Sequence, residues 1–120
     1  MIPYKILLIE SNVEDADIIT SALEKDVFII FQTIIAKSLY EVDTFRPDLV
    51  IINPDNSLDE EIISICDTIS LKNPILEIPI ILLSSRIDLE RFAITCNAIY
   101  VYKPLDVLDF CNTVKDTLSI

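Results

Sequence analysis

The sequence predicts an α/β fold, an open parallel sheet wound on both faces by helices. Three observations lead there. Short apolar, β-branched runs alternate along the whole chain with stretches whose apolar residues recur at helical spacing. Four of the apolar runs end on polar side chains: Glu10-Ser11-Asn12, Asn53, Ser84 and Lys103-Pro104. Strands separated by helices pair in parallel through right-handed crossovers, and such a sheet gathers its functional groups at the carboxyl ends of its strands.

Each element has its own signal. Strand one covers 4–9, and a helix follows over 13–24 with Ile18, Ile19, Ala22 and Leu23 as its inward stripe. Strand two lies within the β-branched and aromatic run 27–36, and a short helix over 39–45 carries Leu39, Val42 and Phe45. Strand three, 48–53, is apolar until Asn53. The helix over 58–71 turns Ile62, Ile65, Cys66 and Ile69 inward and stops at Asn73-Pro74. Strand four covers 79–84, and the helix over 87–96 has Leu89, Phe92, Ala93 and Cys96 at core spacing. Strand five is 99–102, and the last helix, 105–118, points Leu108, Cys111, Val114 and Leu118 inward. Ser11-x-x-Glu14, Ser38-x-x-Glu41 and Ser57-x-x-Glu60 match the capping box that opens helices. With no glycine in the chain, left-handed turn positions fall to Asp26, Asn56, Asn73 and Asn97.

Composition narrows the function classes. The 120 residues fit one domain, 1–120, and an apolar fraction of 52% supports a packed core. No apolar run approaches the roughly 18 residues of a membrane span, and the start runs directly into a strand without a secretion signal. A net charge of −11 opposes binding to nucleic acid or an anionic membrane and favours a basic protein surface. Cys66, Cys96 and Cys111 have no CxxC spacing and the chain has no histidine, so no metal site is expected and the cysteines read as small core residues in a reducing, cytoplasmic setting.

In order and spacing, the acidic end of strand one, Pro47-Asp48-Leu49-Val50-Ile51-Ile52, Pro79-Ile80-Ile81-Leu82-Leu83-Ser84 and Tyr100-Val101-Tyr102-Lys103-Pro104 together resemble the receiver domain of two-component response regulators. The resemblance spans essentially the full length. It implies a flavodoxin-like sheet of order 2-1-3-4-5 with five helices. By the same resemblance, Asn53 stands at the phosphoacceptor position, and Glu10 and Ser11 at the acidic pair that holds magnesium. Ser84 stands at the hydroxyl that contacts the phosphoryl group, Lys103 at the site lysine, and Tyr100 at the aromatic that changes rotamer on activation. Lys103-Pro104 matches a peptide bond that is usually cis in the family.

The departures concern chemistry. Phosphoryl transfer here needs a carboxylate nucleophile, and the Asn53 amide nitrogen is a poor one because its lone pair is delocalised. Magnesium prefers several hard oxygen ligands, yet Ser11 supplies no carboxylate and only Glu10 remains. Ser11 also doubles as a helix cap. The expectation is therefore a degenerate receiver-like signalling module, not an enzyme and without a cofactor, that acts through an unidentified protein partner or a homodimer made by helix four, strand five and helix five. Lys103 is expected to reach Glu10 or the Asn53 side-chain oxygen. Two alternatives are a working phosphoacceptor at Asp55, a side chain expected to be displaced from the pocket, and a flavodoxin-like ligand-binding domain. The latter is opposed by the carboxylates of Glu10, Glu14 and Asp15 where a phosphate loop should be.

Overall fold

A computed structural model describes residues 2–23, 27–34, 37–55, 57–72, 78–103 and 106–120. Five strands alternate with five helices: β1 Tyr4–Ile9, α1 Val13–Ala22, β2 Phe28–Thr33, α2 Ser38–Phe45, β3 Leu49–Ile52, α3 Asp59–Lys72, β4 Ile80–Ser84, α4 Leu89–Thr95, β5 Ile99–Tyr102 and α5 Val107–Thr117. The sheet is parallel throughout with the order β2-β1-β3-β4-β5, as expected. β1 and β3 are interior strands paired on both sides, which is why Ile6-Leu7-Leu8-Ile9 and Leu49-Val50-Ile51-Ile52 are apolar on both faces and fully buried.

Alternation along these strands feeds two cores. Ile6, Leu8, Leu49, Ile51, Ile81 and Leu83 face α1 and α5, where they meet Ala16, Ile19, Leu23, Phe110 and Val114. Leu7, Ile9, Val50, Ile52, Ile80 and Leu82 face the other way, onto Val42, Ile62, Ile65, Cys66, Ile69 and Ala93 of α2, α3 and α4. Each such aliphatic side chain contributes about 1.5–3 kcal/mol by leaving water.

The stripe of α3 is as read from the sequence. Two others shift. On α5, Leu108 is 70% exposed and Phe110 is 1% exposed, so the aromatic two positions on, with Val114, forms the inner face. On α1, Ile18 is exposed while Ala16 and Ile19 are buried.

The capping boxes also differ from expectation. Asn12, not Ser11, caps α1, its Oδ1 accepting the Asp15 N–H at 2.9 Å. Ser38 lies inside α2, and Lys37 precedes it with no side-chain cap bond. At α3 the box slips by one residue: Glu61 Oε1 accepts the Leu58 N–H at 3.0 Å. Asp106 caps α5 through the Asp109 N–H at 3.0 Å. Asn97 does take a left-handed conformation (φ 58°), joined by Arg46 and Ser119; Asp26, Asn56, Asn73 and Pro104 of the Lys103-Pro104 bond lie outside the described residues. No described helix is long and apolar enough to cross a membrane.

Candidate functional site

The site is built by extending the strand ladder one residue past β1, β3 and β5, beside Ser84 at the end of β4. Glu10 N donates to Thr33 O, Asn53 N to Ile9 O and Lys103 N to Ser84 O, each at 3.0 Å. These bonds fix Glu10, Asn53, Ser84 and Lys103 side by side at the carboxyl edge. Glu10, Asn53 and Ser84 are buried, while Ser11 is exposed.

Two polar clusters result. In the first, Asn53 Nδ2 donates to Glu10 Oε1 at 2.7 Å. Burial pushes the Glu10 carboxyl above its usual range. The Asn53 bond and the Lys103 charge oppose that rise, and neighbouring Asp15 adds to it.

The second cluster centres on Asp55. Asn53 Oδ1 accepts the Asp55 N–H at 3.1 Å, an Asx turn that folds the chain back over the ends of β4 and β5. This turn brings in a side chain that sequence spacing placed outside the pocket. Asp55 Oδ1 accepts from Ser84 Oγ, while Oδ2 receives Ser85 Oγ at 3.1 Å, Ser85 N at 3.3 Å and Lys103 Nζ at 3.2 Å. Lys103 therefore pairs with Asp55, not with Glu10 or the Asn53 oxygen. Burial alone would raise the Asp55 carboxyl; the bonds from Ser84 and the Ser85 N–H, with the charge of Lys103, outweigh it and hold the group below its usual value.

The network continues outward. Ser84 Oγ accepts the Arg86 N–H at 2.9 Å, and Tyr100 Oη donates to Arg86 O at 2.9 Å, holding the tyrosine inward. The Arg86 guanidinium pairs with Asp59 at 3.0 Å and Asp88 at 2.7 Å, joining the starts of α3 and α4. An open depression of about 390 Å³ beside the site is lined by Asp15, Ile18, Ile19, Asp55, Leu83, Ser85 and Lys103.

The structure places Glu10, Asn53, Ser84, Lys103 and Tyr100 at one edge of the sheet, and Ser11 does not join them. Asp55, considered only as an alternative phosphoacceptor displaced from the pocket, sits within it, and Ser85 and Arg86 were missed as site members. The Ser84-Ser85 tandem at a strand end and the Asn53-Pro54-Asp55 spacing of an Asx turn were the available signals.

Magnesium does not fit this donor set. The Asn53 oxygen faces the Asp55 amide, the Asp55 carboxylate is occupied by two hydroxyls and an ammonium, and Glu10 carries the Asn53 amide. Among the described residues, no group of three or more histidine, cysteine, aspartate or glutamate side chains is placed to hold a metal.

No protein-family model and no curated protein matches the chain. Solved structures do match in shape. A response regulator from Thermotoga maritima superposes with a TM-score of 0.86 at 20% identity, covering 99% of this chain and 100% of that one. A CheY-like response regulator receiver domain protein from Methanospirillum hungatei gives 0.84 at 16% identity, with 98% and 95% covered. The chemotaxis response regulator CheY4 of Vibrio cholerae gives 0.82 at 13% identity, with 97% and 99% covered. The chain has the fold of response-regulator receiver domains.

Proposed function

We propose that this chain is a receiver-like signalling module that is not phosphorylated at Asn53 and signals by protein–protein contact. The supporting observation is the Asp55 carboxylate seated on Ser84, Ser85 and Lys103. By the family resemblance, the hydroxyl and the lysine are the groups that would receive a phosphoryl oxygen. Here an internal anion takes them, so the constellation is satisfied without any incoming group. Tyr100, bonded to the Arg86 carbonyl, is held inward in the same arrangement. Conformation is then set by the sequence or by a partner. The module does no catalysis of its own, takes no cofactor and works in the cytoplasm. A partner with a basic surface suits the charge of −11.

A second reading follows from the same contacts. Asp55 is a carboxylate beside a lysine and a hydroxyl, so it has the groups around it that an acyl-phosphate site would use. One experiment separates the two. Incubation with acetyl phosphate and magnesium, followed by intact mass measurement, gives no phosphoryl adduct under the first reading. An adduct that disappears in Asp55→Asn establishes the second. The missing divalent-ion donors favour the first.

A further inference from the structure

We propose that β2 is a pairing edge for a second copy of this chain: two β2 strands meet antiparallel about a two-fold axis at Ile30 and join two five-stranded sheets into one. The contact is separate from the Asp55 pocket and from the face of α4, β5 and α5.

β2 is an edge of the sheet, with β1 as its one neighbour in the strand order. Tyr4 N donates to Val27 O at 2.9 Å and Glu10 N to Thr33 O at 3.0 Å, which sets the odd-numbered residues of β2 against β1. Phe28, Ile30 and Gln32 therefore direct their backbone N–H and C=O groups away from β1. Exposed edges are ordinarily blunted by a charge, a proline or a bulge. This edge has none of them. Its register runs unbroken from Tyr4 beside Phe28 to Ile9 beside Thr33, and the sequence from Val27 to Ala36 contains no charged residue and no proline.

The side chains fit a second copy. Ile29 and Phe31 share one face of the pleat, that of α2, where the Phe31 ring lies 5.4 Å from the Phe45 ring. Both are open to solvent, Ile29 at 47% and Phe31 at 39%. They straddle Ile30, so an antiparallel pair centred there sets Ile29 of each copy opposite Phe31 of the other. These are non-hydrogen-bonded positions, where side chains approach most closely, and a β-branched residue against an aromatic is a favourable cross-strand pair. Ile30 then exchanges backbone bonds with its own copy, and Phe28 with Gln32, so the outward groups of all three residues find partners.

Charge selects the same arrangement. The net charge of −11 opposes contact between most surfaces of two copies, and the charge-free run escapes that repulsion. In sequence the run is preceded by Glu24-Lys25-Asp26 and followed by Lys37. Antiparallel pairing brings that net acidic end to a basic one, whereas parallel pairing matches like with like. An unrelated extended peptide would meet the same edge without the reciprocal fit of Ile29 and Phe31.

The test mixes the full-length variants Ile29→Cys and Phe31→Cys under mild oxidation and maps disulfides without reduction. A link between position 29 of one copy and position 31 of the other is expected, in several-fold higher yield than any link in either variant alone. Two copies of position 29 sit a diagonal step apart, about 7–8 Å, beyond the reach of a disulfide. Adding Tyr102→Ala should leave the yield unchanged, which separates this contact from one at β5. Sedimentation velocity over a concentration series, in an Ile94→Glu background, should show a dimer whose dissociation constant rises about tenfold or more with Ile29→Lys. No link between 29 and 31, equal links in mixed and single variants, a background that stays monomeric at every concentration, or an Ile29→Lys dimer as tight as its background would overturn the proposal.

Discussion

Lys103 Nζ lies 3.2 Å from Asp55 Oδ2, while Glu10 is left to the side-chain amide of Asn53. The Asp55 carboxylate takes the ammonium and two hydroxyls directly, while the Glu10 carboxyl is hydrogen-bonded by a neutral donor. Here the Asx turn at Asn53 delivers Asp55 to Lys103 and closes the arrangement within the chain.

The first prediction concerns that pair. Asp55→Ala leaves Lys103, Ser84 and Ser85 without their common acceptor, so it should destabilise the fold by about 1–3 kcal/mol. Lys103→Met should cost less, about 0.5–1.5 kcal/mol, because Asp55 keeps its serine donors. Denaturant titrations of both single variants and the double variant give the coupling. Additive losses would show that the pair contributes nothing of its own.

Asn53→Asp replaces the amide that donates to Glu10 by a second carboxylate. At neutral pH the variant should lose about 1–3 kcal/mol, and acidification should restore part of it. It should not become a good phosphoacceptor, since Ser11 supplies no carboxylate and Asp55 still holds Ser84 and Lys103. Acetyl-phosphate labelling followed by intact mass should rise only when Asn53→Asp is combined with Ser11→Asp and Asp55→Ala. Stoichiometric labelling of the single variant would contradict this account. Ser11→Asp should leave the α1 cap intact, because Asn12 makes it.

The two carboxyls predict opposite pH behaviour. Glu10 titrates above its ordinary value of 4.5 in the folded chain, so its contribution is fully present below that value and is lost as pH rises through the folded one. Asp55 titrates below its ordinary 3.8, so its contribution is present above that value and is lost as pH falls through the folded one. Glu10→Gln keeps an acceptor for Asn53 without the buried charge. It should therefore raise Tm at neutral pH, with the gain vanishing in acid. Asp55→Asn should lower Tm at neutral pH, with the loss shrinking in acid. Thermal melts across the range from about pH 3 to about pH 8 check both signs.

Phe110 and Leu108 separate what the sequence told from what it withheld. Element order and the polar strand ends were legible, because a parallel sheet buried on both faces leaves continuous apolar runs, and the strand order followed from the family resemblance. The stripe of α5 was not: Leu108 and Phe110 both fit an apolar helix face, and only packing in the core shared with α1 and the sheet selects the aromatic. The same limit kept Asp55 outside the expected pocket. Spacing carried it past the strand, whereas a side chain-to-backbone bond from Asn53 turned it back. Capping residues slipped by one position where two neighbouring polar residues, Ser11 and Asn12, competed for one role. Accordingly, Phe110→Ala should cost about 3–5 kcal/mol, while Leu108→Ala should stay within about 0.5 kcal/mol. Chemical denaturation of the two variants distinguishes the faces directly.

The last prediction places the reading surface on α4, β5 and α5. β5 is an edge strand, so one side of its backbone is open to pairing. Tyr102 is 50% exposed and stacks beside Tyr100 with ring centroids 6.4 Å apart, and Ile94 on α4 is 75% exposed. Tyr100 also bonds to the Arg86 carbonyl, and Arg86 reaches the start of α4 through Asp88, so contacts on this face adjoin the Asp55 pocket. Aromatic anchors beside an apolar helix residue are what interfaces enrich. Tyr102→Ala and Ile94→Glu should each weaken self-association or partner binding by about tenfold or more, with circular dichroism unchanged. Sedimentation velocity over a concentration series tests the homodimer, and titration calorimetry with a verified partner tests the heteromeric case. Equal affinity of both variants and the parent would move the reading surface to α1, around Asp15 and Asp17. There Asp17 and the exposed Ile18 line a groove against Val107 of α5.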